Sequence, residues 1–490
     1  MNVIEIEQAS KKFRKNVFSP TNEVLENINL NLKQGEFLVL KGENGSGKTT
    51  LLNLILGLVK PTNGTVKLMG LSPQDSLSKM KIGYVLQNTG IPSNIKVKEL
   101  ISLWQSYYVN SLTIEEVLRK VDLEDQAESW ATDLSGGQKQ RLYFALALVG
   151  NPTLLILDEP TRNLDESGYN AFWKEIEKCR EEGTTILMVT NNKSDQEKLD
   201  ILKPRIVTLT KHSKVSGNSQ LTENSEDISS TQITTADSLN QIKSPSYLKM
   251  LFQQINFEVK QILRTPLYLL GIFIVPFLIP FLLRLSGNTD DQRLSLTAIC
   301  GIFLFTIVID RFAKRIVVER SEKWLNLLKA TPLSPILYIG AKLTAISLVC
   351  GVFTVTYFTL ITSIAHIEVV NNLSTLISVL IIGIIPFGLL GITLGFVLEP
   401  KSADSILGYS LLLIPLLCWL LPIPIPDKFS WLKDILVLLP FYHYRTLVES
   451  VINNGSNSLI FLNTLWLIWA TFLFYYLAVL SYQREKVIQR

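Results

Sequence analysis

The residues best suited to chemistry near the start of the chain form a glycine-rich loop, GENGSGKTT, at positions 42–50. Glycines there let backbone N–H groups close around phosphate oxygens, because a Cβ would clash. We expect Lys48 to reach the β- and γ-phosphates of a nucleotide and the Thr49 hydroxyl to ligate Mg²⁺. An apolar run at 37–41 precedes the loop and a helical run at 51–58 follows it, as such a loop requires. The predicted phosphate-binding set is Gly42, Asn44, Gly45, Ser46, Gly47, Lys48, Thr49 and Thr50.

Two carboxylates, Asp158 and Glu159, end the apolar run LLILDE and form the second chemical feature. Asp158 is the candidate to hold Mg²⁺, directly or through water. Glu159, one residue on, can polarise an attacking water as a general base. Ligands of open α/β sheets sit beyond the carboxyl ends of the strands, so both motifs predict one nucleotide-hydrolysing site.

A third motif, LSGGQKQR at residues 134–141, offers a hydroxyl and bare backbone amides where a helical run begins. A helix N-terminus of this kind is again an anion site, although one nucleotide does not need two such sites from one chain. The motif resembles the signature of ATP-binding cassette ATPases, which contacts the γ-phosphate of ATP bound on the opposite subunit. The residues that the resemblance assigns to this role are Ser135, Gly136, Gly137 and Gln138.

The same resemblance implies roles for residues outside the three motifs. Phe13 falls where the family places an aromatic ring against adenine, although an ordinary packed aromatic residue is the alternative. Gln87 resembles the glutamine that senses Mg²⁺ and faces the membrane domain. The metal set is then Thr49, Gln87 and Asp158, and the catalytic set is Glu159, Lys48, Gln87 and Asn191.

Asn191 marks a departure from the family pattern, which usually has a histidine after this strand to contact the γ-phosphate. The chain has three histidines, His212, His366 and His443, and none is placed to substitute. Asparagine can donate a hydrogen bond but cannot carry a positive charge or shuttle a proton. We therefore expect ATP binding with slow hydrolysis. Two alternatives stay open: a partner subunit supplies a complete second site, or Asn191 fills the role unaided.

The second half of the chain has the composition of a membrane domain. The whole sequence has a mean hydropathy of +0.26 and only 18% charged residues, and its net charge of +4 argues against a nucleic-acid partner. Six long apolar stretches predict six membrane-spanning helices. They cover residues 267–285, 294–309, 337–365, 373–398, 406–421 and 459–480.

The expected fold is an α/β P-loop NTPase cassette followed by an all-α transmembrane domain with six helices. The predicted boundaries are 1–212 for the cassette, 213–245 for a flexible polar linker, 246–265 for an amphipathic connecting helix and 266–490 for the membrane domain. Basic residues at 310–336 favour a cytosolic loop between spans two and three. We expect a multi-pass protein of the inner (plasma) membrane, with the cassette and both termini in the cytoplasm. The loop after span five, with Trp431, Phe441, Tyr442 and Tyr444, is predicted to form an interfacial belt.

The membrane half resembles export permeases of the ABC-2 group, in the order found in ABCG proteins. A charged run that ends in Thr331-Pro332-Leu333-Ser334 is similar to the cytosolic coupling element of that group, and we expect it to dock near Gln87. Charges lie toward the span ends, which favours an amphipathic cargo over an ion. In span four, Gly391 and Gly395 predict close helix packing inside the bundle.

These expectations combine into an ATPase coupled to transmembrane movement of substances. The predicted function is ATP-driven efflux of an amphipathic or hydrophobic molecule, with ATP and Mg²⁺ as cofactors. The alternative is a sensor or protection device that uses the same motion without translocating cargo. The expected partners are the lipid bilayer and a second half-transporter, which we expect to be an identical copy, although a heterodimer stays open.

Overall fold

The computed structural model describes residues 2–14, 21–87, 89–210, 246–265, 270, 274, 278, 292–365, 373–408, 437–453 and 455–484. The chain divides into two compact units. The first unit comprises residues 1–253, 323–334 and 486–490, and the second comprises 254–322 and 335–485. The predicted linker at 213–245 lies outside the described residues, so its flexibility stays a prediction.

The strands of the first unit form two sheets. A parallel sheet has the order β5-β6-β7-β3-β8, and an antiparallel sheet has the order β2-β1-β4. The strands are β1 (Asn2–Phe13), β2 (Asn22–Lys33), β3 (Phe37–Gly42), β4 (Asn63–Leu68), β5 (Ile82–Val85), β6 (Leu154–Asp158), β7 (Thr185–Val189) and β8 (Arg205–Leu209).

The helices of the first unit include one short helix from late in the sequence. They are α1 (Lys48–Ile55), α2 (Ser76–Lys79), α3 (Val97–Gln105), α4 (Ile114–Lys120), α5 (Gly136–Leu148), α6 (Glu166–Glu181), α7 (Gln196–Leu202) and α10 (Trp324–Ala330), with 3₁₀ turns at Glu124–Gln126 and Lys193–Asp195. Every residue of β5, β6 and β7 is buried, as expected for strands of a parallel sheet covered on both faces. The α/β fold expected from the sequence is confirmed.

The second unit is helical. Its helices are α9 (Gln292–Ser321), α11 (Pro335–Leu360), α12 (Leu373–Gly383), α13 (Ile385–Val397), α14 (Pro440–Ile452) and α15 (Asn457–Arg484), together with most of α8 (Tyr247–Leu263), and a π-helical turn at Ile361–Ala365 follows α11.

Three helical stretches of the described residues are long and apolar enough to cross a membrane: 335–363, 373–397 and 457–484. They coincide with predicted spans three, four and six. Predicted spans one and five fall largely outside the described residues, so the number six stays a prediction. Span two corresponds to α9, which does not stop at residue 309 but continues to Ser321. The prediction of a loop over residues 310–336 is therefore wrong for residues 310–321, which are helical.

The predicted aromatic belt is wrong for two of its members. Phe441 and Tyr444 lie in α14 and are buried, and their rings pack with Phe305 of α9 and Phe387 of α13. The Tyr444 hydroxyl donates a hydrogen bond to the Leu380 carbonyl at 3.0 Å. These rings gain more from mutual burial than from an interfacial position, because aromatic side chains contribute large buried apolar areas.

Glycines in α13 allow α9 to approach closely. A Cβ on Gly395 would lie 2.8 Å from the Ile316 Cβ and 2.9 Å from the Ala313 carbonyl oxygen. A Cβ on Gly391 would lie 3.4 Å from the Phe312 Cβ. The predicted role of these glycines in packing within the bundle is confirmed.

A buried ion network near the start of α11 was not foreseen. Lys342 is 2% exposed, and its ammonium lies 2.8 Å from both the Glu258 carboxylate of α8 and the Glu319 carboxylate of α9. Arg315 also pairs with Glu319 at 3.2 Å, and the Tyr338 hydroxyl donates to the same carboxylate. The network ties three helices of the second unit together.

Candidate nucleotide site

The loop between β3 and α1 forms a cradle of phosphate size. Gly42 and Gly47 have φ angles of +155° and +100°. A Cβ on Gly42 would lie 2.4 Å from the Leu209 carbonyl oxygen, and one on Gly47 would lie 2.7 Å from the Leu25 Cδ2. The buried Ser46 hydroxyl has no hydrogen-bond partner among the described residues. A cradle with an orphaned buried hydroxyl fits an anionic ligand.

The start of α1 adds donors to this cradle. The helix begins at Lys48, three residues earlier than the helical run in the sequence, so Lys48, Thr49 and Thr50 form its first turn. Gly47, the N-cap residue, supplies no capping side chain, which leaves the first backbone N–H groups to a ligand. The Lys48 ammonium donates to the carbonyl oxygens of Gly42 at 2.7 Å and Glu43 at 3.0 Å.

The acidic end of β6 lies next to this turn. The Thr49 hydroxyl donates to the Asp158 carboxylate at 3.2 Å, and the Gln87 amide donates to the Glu159 carboxylate at 2.7 Å. Burial raises the pKa of Asp158 to about 6, against the hydrogen bond from Thr49 and the charge of Lys48, which lower it. A hard cation would offset the cost of burying the charged Asp158 carboxylate. Oxygen ligands that include one buried carboxylate and the phosphates of a nucleotide suit Mg²⁺.

Glu159 has a backbone conformation that is rare outside glycine. Its φ is +50°, in the left-handed region, and its N–H is held by the Val189 carbonyl at 2.8 Å. Such a conformation costs about 1–3 kcal/mol, so the surrounding structure must maintain it. The sharp turn directs consecutive carboxylates, Asp158 and Glu159, toward the same cavity.

A cavity of about 710 Å³ unites these groups. Ten of its lining residues were predicted from the sequence, including Asn191, which contributes no charge. The predicted members are Asn44, Gly45, Gly47, Lys48, Thr49, Thr50, Gln87, Asp158, Glu159 and Asn191.

The signature residues lie elsewhere. Ser135 is exposed and caps α5, with its hydroxyl accepting from the Gln138 N–H at 3.2 Å while the Gln138 side chain accepts from the Ser135 N–H at 2.9 Å. None of Ser135, Gly136, Gly137 and Gln138 lines the cavity within the described part of the chain. A Cβ on Gly137 would lie 3.1 Å from the carbonyl oxygen of Asn163, so the signature adjoins the loop after β6. This second surface is separate from the phosphate cradle of its own chain.

Phe13 is not brought into the cavity. It lies half-buried at the end of β1, and the Lys11 ammonium stands 5.1 Å from its ring centroid. Among the described residues the cavity is lined on that side by Val24. The adenine-stacking role of Phe13 therefore stays a prediction.

Three other residues that line the cavity were not assigned from the sequence. The Arg162 guanidinium lies 3.4 Å from the Glu159 carboxylate, and its place three residues after Glu159 could have suggested this contact. Lys323 and Asn326 also line the cavity. They come from the distant segment around α10, and only its resemblance to a coupling element hinted at such proximity.

The segment around α10 is held firmly within the first unit. Trp324 is fully buried, and its ring centroid lies 5.3 Å from that of Trp104. The Tyr84 hydroxyl donates to the Leu327 carbonyl, and the Lys79 ammonium donates to the Lys329 carbonyl. The expected docking of this segment on the cassette is present in the structure.

Comparison with known protein families shows which family the chain belongs to. A family model described as ABC transporter matches residues 25–162, and one described as ABC-2 family transporter protein matches residues 169–480. The second match covers more than half of the 490 residues. The chain belongs to the ABC-2 family of transporters. This ABC-2 transporter is an ATP-hydrolysing membrane protein in which the ATP-binding cassette precedes the permease domain, as the sequence predicted.

Curated relatives match the cassette part of this ABC-2 transporter. A zinc import ATP-binding protein of Chromohalobacter salexigens is 40% identical over 34% of this chain and 67% of the relative. A Nod factor export ATP-binding protein of Cupriavidus metallidurans is 34% identical over 36% of this chain and 60% of the relative. A macrolide export ATP-binding/permease protein of Mannheimia succiniciproducens is 32% identical over 40% of this chain and 32% of the relative. A solved dimeric cassette bound to ADP and Pi is 29% identical, with a TM-score of 0.39, covering 44% of this chain and 97% of that chain.

Proposed function

We propose that this ABC-2 transporter is a homodimeric exporter of an amphipathic or hydrophobic molecule in the inner membrane, with its cassette in the cytoplasm. The observation that carries the proposal is the fusion of a cassette with a nucleotide-sized cavity to an ABC-2 permease region. The curated relatives of the cassette include both import and export proteins, so the cassette alone does not decide direction. The membrane half favours export through its resemblance to export permeases.

The charges of the described membrane helices support a non-ionic cargo. Among the described membrane helices, the buried Lys342 ammonium already pairs with the carboxylates of Glu258 and Glu319. It therefore does not offer an unpaired charge to an ionic cargo. A buried cation that is already paired offers no site to an ion, which favours a cargo that partitions into lipid.

The ATP site performs its chemistry through groups already positioned. Lys48 and the first turn of α1 bind the phosphates, and Thr49, Asp158 and Gln87 are the residues that would hold Mg²⁺. When bound, Mg²⁺ supplies charge neutralisation for the β- and γ-phosphates. Glu159 accepts the proton of the attacking water, and Gln87 holds its carboxylate in place through the 2.7 Å hydrogen bond.

A second copy of the chain supplies what the cavity lacks. The signature lies outside the cavity of its own chain, and the exposed Ser135 and Gly136 at the start of α5 can meet a γ-phosphate bound by another copy. Two identical copies in a face-to-face arrangement then make two equivalent sites, which is the symmetry expected of a homodimer. ATP clamps the cassettes together, and hydrolysis releases them.

Accumulation of cargo in inside-out vesicles tests the proposal. Vesicles that contain the native chain or the Glu159→Gln variant receive ATP and a panel of probes: a lipophilic dye, a macrolide and a fluorescent phospholipid. Export predicts ATP-dependent accumulation of at least one probe with the native chain and none with the variant. A probe that stimulates ATP hydrolysis without accumulating would support the sensor or protection device instead.

A further inference from the structure

One end of α10 forms part of the nucleotide cavity. Lys323 and Asn326 line it together with Lys48, Asp158 and Glu159, although they belong to the segment that joins two helices of the permease domain. Neither residue belongs to a nucleotide-binding motif. Their presence raises the question of which part of the nucleotide they contact.

The position of Lys323 is fixed by its neighbours. Lys323 is the residue immediately before α10, and its φ is +59°, in the left-handed region. The next residue, Trp324, is fully buried against Trp104, and the Leu327 carbonyl is held by the Tyr84 hydroxyl. The packing of Trp324 and the hydrogen bond to Leu327 therefore fix the backbone next to Lys323. A fixed backbone limits the positions that the Lys323 ammonium can occupy.

Lys323 lines the cavity together with the carboxylates of Asp158 and Glu159. Within the part of the chain that the structure describes, its ammonium makes no ion pair with any carboxylate. Burial is the largest influence on the pKa of Asp158 and raises it, and the charge of Lys323 is among the smaller influences that lower it. Lys323 therefore adds positive charge to the part of the cavity that Asp158 and Glu159 also line, and no described carboxylate pairs with its ammonium.

Asn191 is an uncharged polar residue of the same cavity. Asn191 lines the cavity and can donate a hydrogen bond, but it brings no charge to a γ-phosphate. Lys48 approaches the phosphates from the loop, where its ammonium donates to the Gly42 carbonyl, and burial lowers the pKa of that ammonium. Lys323, which enters from another segment, adds a second positive charge for the γ-phosphate.

We propose that Lys323 binds the γ-phosphate of ATP, so that the coupling segment itself is a ligand of the nucleotide. A charge-assisted bond from this ammonium distinguishes ATP from ADP, because only ATP carries the group that it reaches. Loss of the γ-phosphate releases Lys323 and so changes what holds α10 at the site. The proposal rests on ATP binding by the cassette and is independent of the direction of transport and of the cargo.

Nucleotide affinity measured with and without the γ-phosphate tests this role. The full chain in lipid discs carries Glu159→Gln, so that ATP persists, and ATP or ADP displaces a fluorescent nucleotide. We expect Lys323→Gln to weaken ATP binding about 5- to 20-fold, as for a lost charge-assisted hydrogen bond, and to leave ADP binding unchanged. Lys323→Arg keeps most of the preference for ATP.

Two further variants control for charge and folding. Lys329→Gln removes the same charge from the other end of α10, outside the cavity lining, and leaves both affinities unchanged. Lys323→Asn suits the left-handed backbone and behaves like Lys323→Gln, even if the latter folds poorly. The proposal is overturned if Lys323→Gln and Lys323→Asn leave the ATP-to-ADP affinity ratio at the parent value. A parent that binds neither nucleotide would instead refute the ATP site itself.

Discussion

At the scale of single residues, Asn191 lies where the resemblance to ATP-binding cassette ATPases leads us to expect a histidine. The residue lines the cavity but offers no positive charge to the transition state. We expect Asn191→His to raise the ATPase rate about 10-fold or more, within the range of a well-placed acid–base group. Steady-state phosphate release by the purified protein in lipid discs measures the change.

The matched control for this variant is Asn192→His. Asn192 is the next residue, and its side chain donates to Thr161 at 3.3 Å and accepts from the Ser194 N–H at 3.2 Å. A histidine there does not reach the phosphates, so no increase is expected. An unchanged rate in Asn191→His would contradict the expectation that Asn191 slows hydrolysis.

Residues within contiguous motifs could be placed from the sequence, whereas residues that reach the site from afar could not. Lys48 and Asp158 follow apolar strands directly, and a strand followed by a glycine loop or by carboxylates fixes where those side chains emerge. Phe13 and Lys323 depend on how distant segments fold back. Phe13 was expected in the site but does not line the cavity. Lys323 was not expected there but does line the cavity.

At the scale of elements, the ion network around Lys342 joins three helices. Because removing one partner leaves buried charge uncompensated, we expect Lys342→Met to destabilise the second unit by about 3–5 kcal/mol. Thermal unfolding in detergent, followed through tryptophan fluorescence, measures the loss. Lys314→Met is the control, since the Lys314 side chain is 40% exposed and lies 4.0 Å from Asp404.

A compensated variant separates charge from packing. Lys342→Met combined with Glu258→Gln and Glu319→Gln removes the cation and both anions together, so much of the stability should return. If the single variant unfolds at the parent temperature, the network contributes nothing to the stability of the helices that it joins. The sequence could not reveal this network, because α9 was expected to end before Glu319.

The docking of α10 is the second prediction at this scale. Trp324→Ala removes the ring that packs on Trp104, and a large-to-small change in a buried site costs about 3–5 kcal/mol locally. We expect the variant to hydrolyse ATP while cargo accumulation in vesicles falls sharply, because motion of the cassette no longer reaches the permease helices. The control Trp130→Ala truncates a partly exposed ring of the same unit and should keep both activities. Retained transport by Trp324→Ala would remove α10 from the coupling path.

At the scale of the whole molecule, the order of the two domains and their fold classes could be predicted from the sequence. The packing of helices within the membrane domain could be predicted only in part. Long apolar stretches identify helices because a bilayer demands about 20 such residues, and three of the predicted spans reappear. Hydropathy does not report helix–helix contacts, so the burial of Phe441 and Tyr444 was missed. The close packing at Gly395 was predictable because small residues are what close approach requires.

The central claim is that each ATP is bound between two copies of the chain, by Lys48 of one copy and Ser135 of the other. Differently tagged chains carrying Lys48→Ala or Ser135→Arg are each inactive as homodimers. Dimers that carry both tags are then isolated and their ATPase rate is measured. A mixed dimer holds one intact site, composed of the native Lys48 of one chain and the native Ser135 of the other, so it should recover about half of the native rate. A mixed dimer as inactive as its parents would show that both residues must belong to the same chain, and would contradict the account.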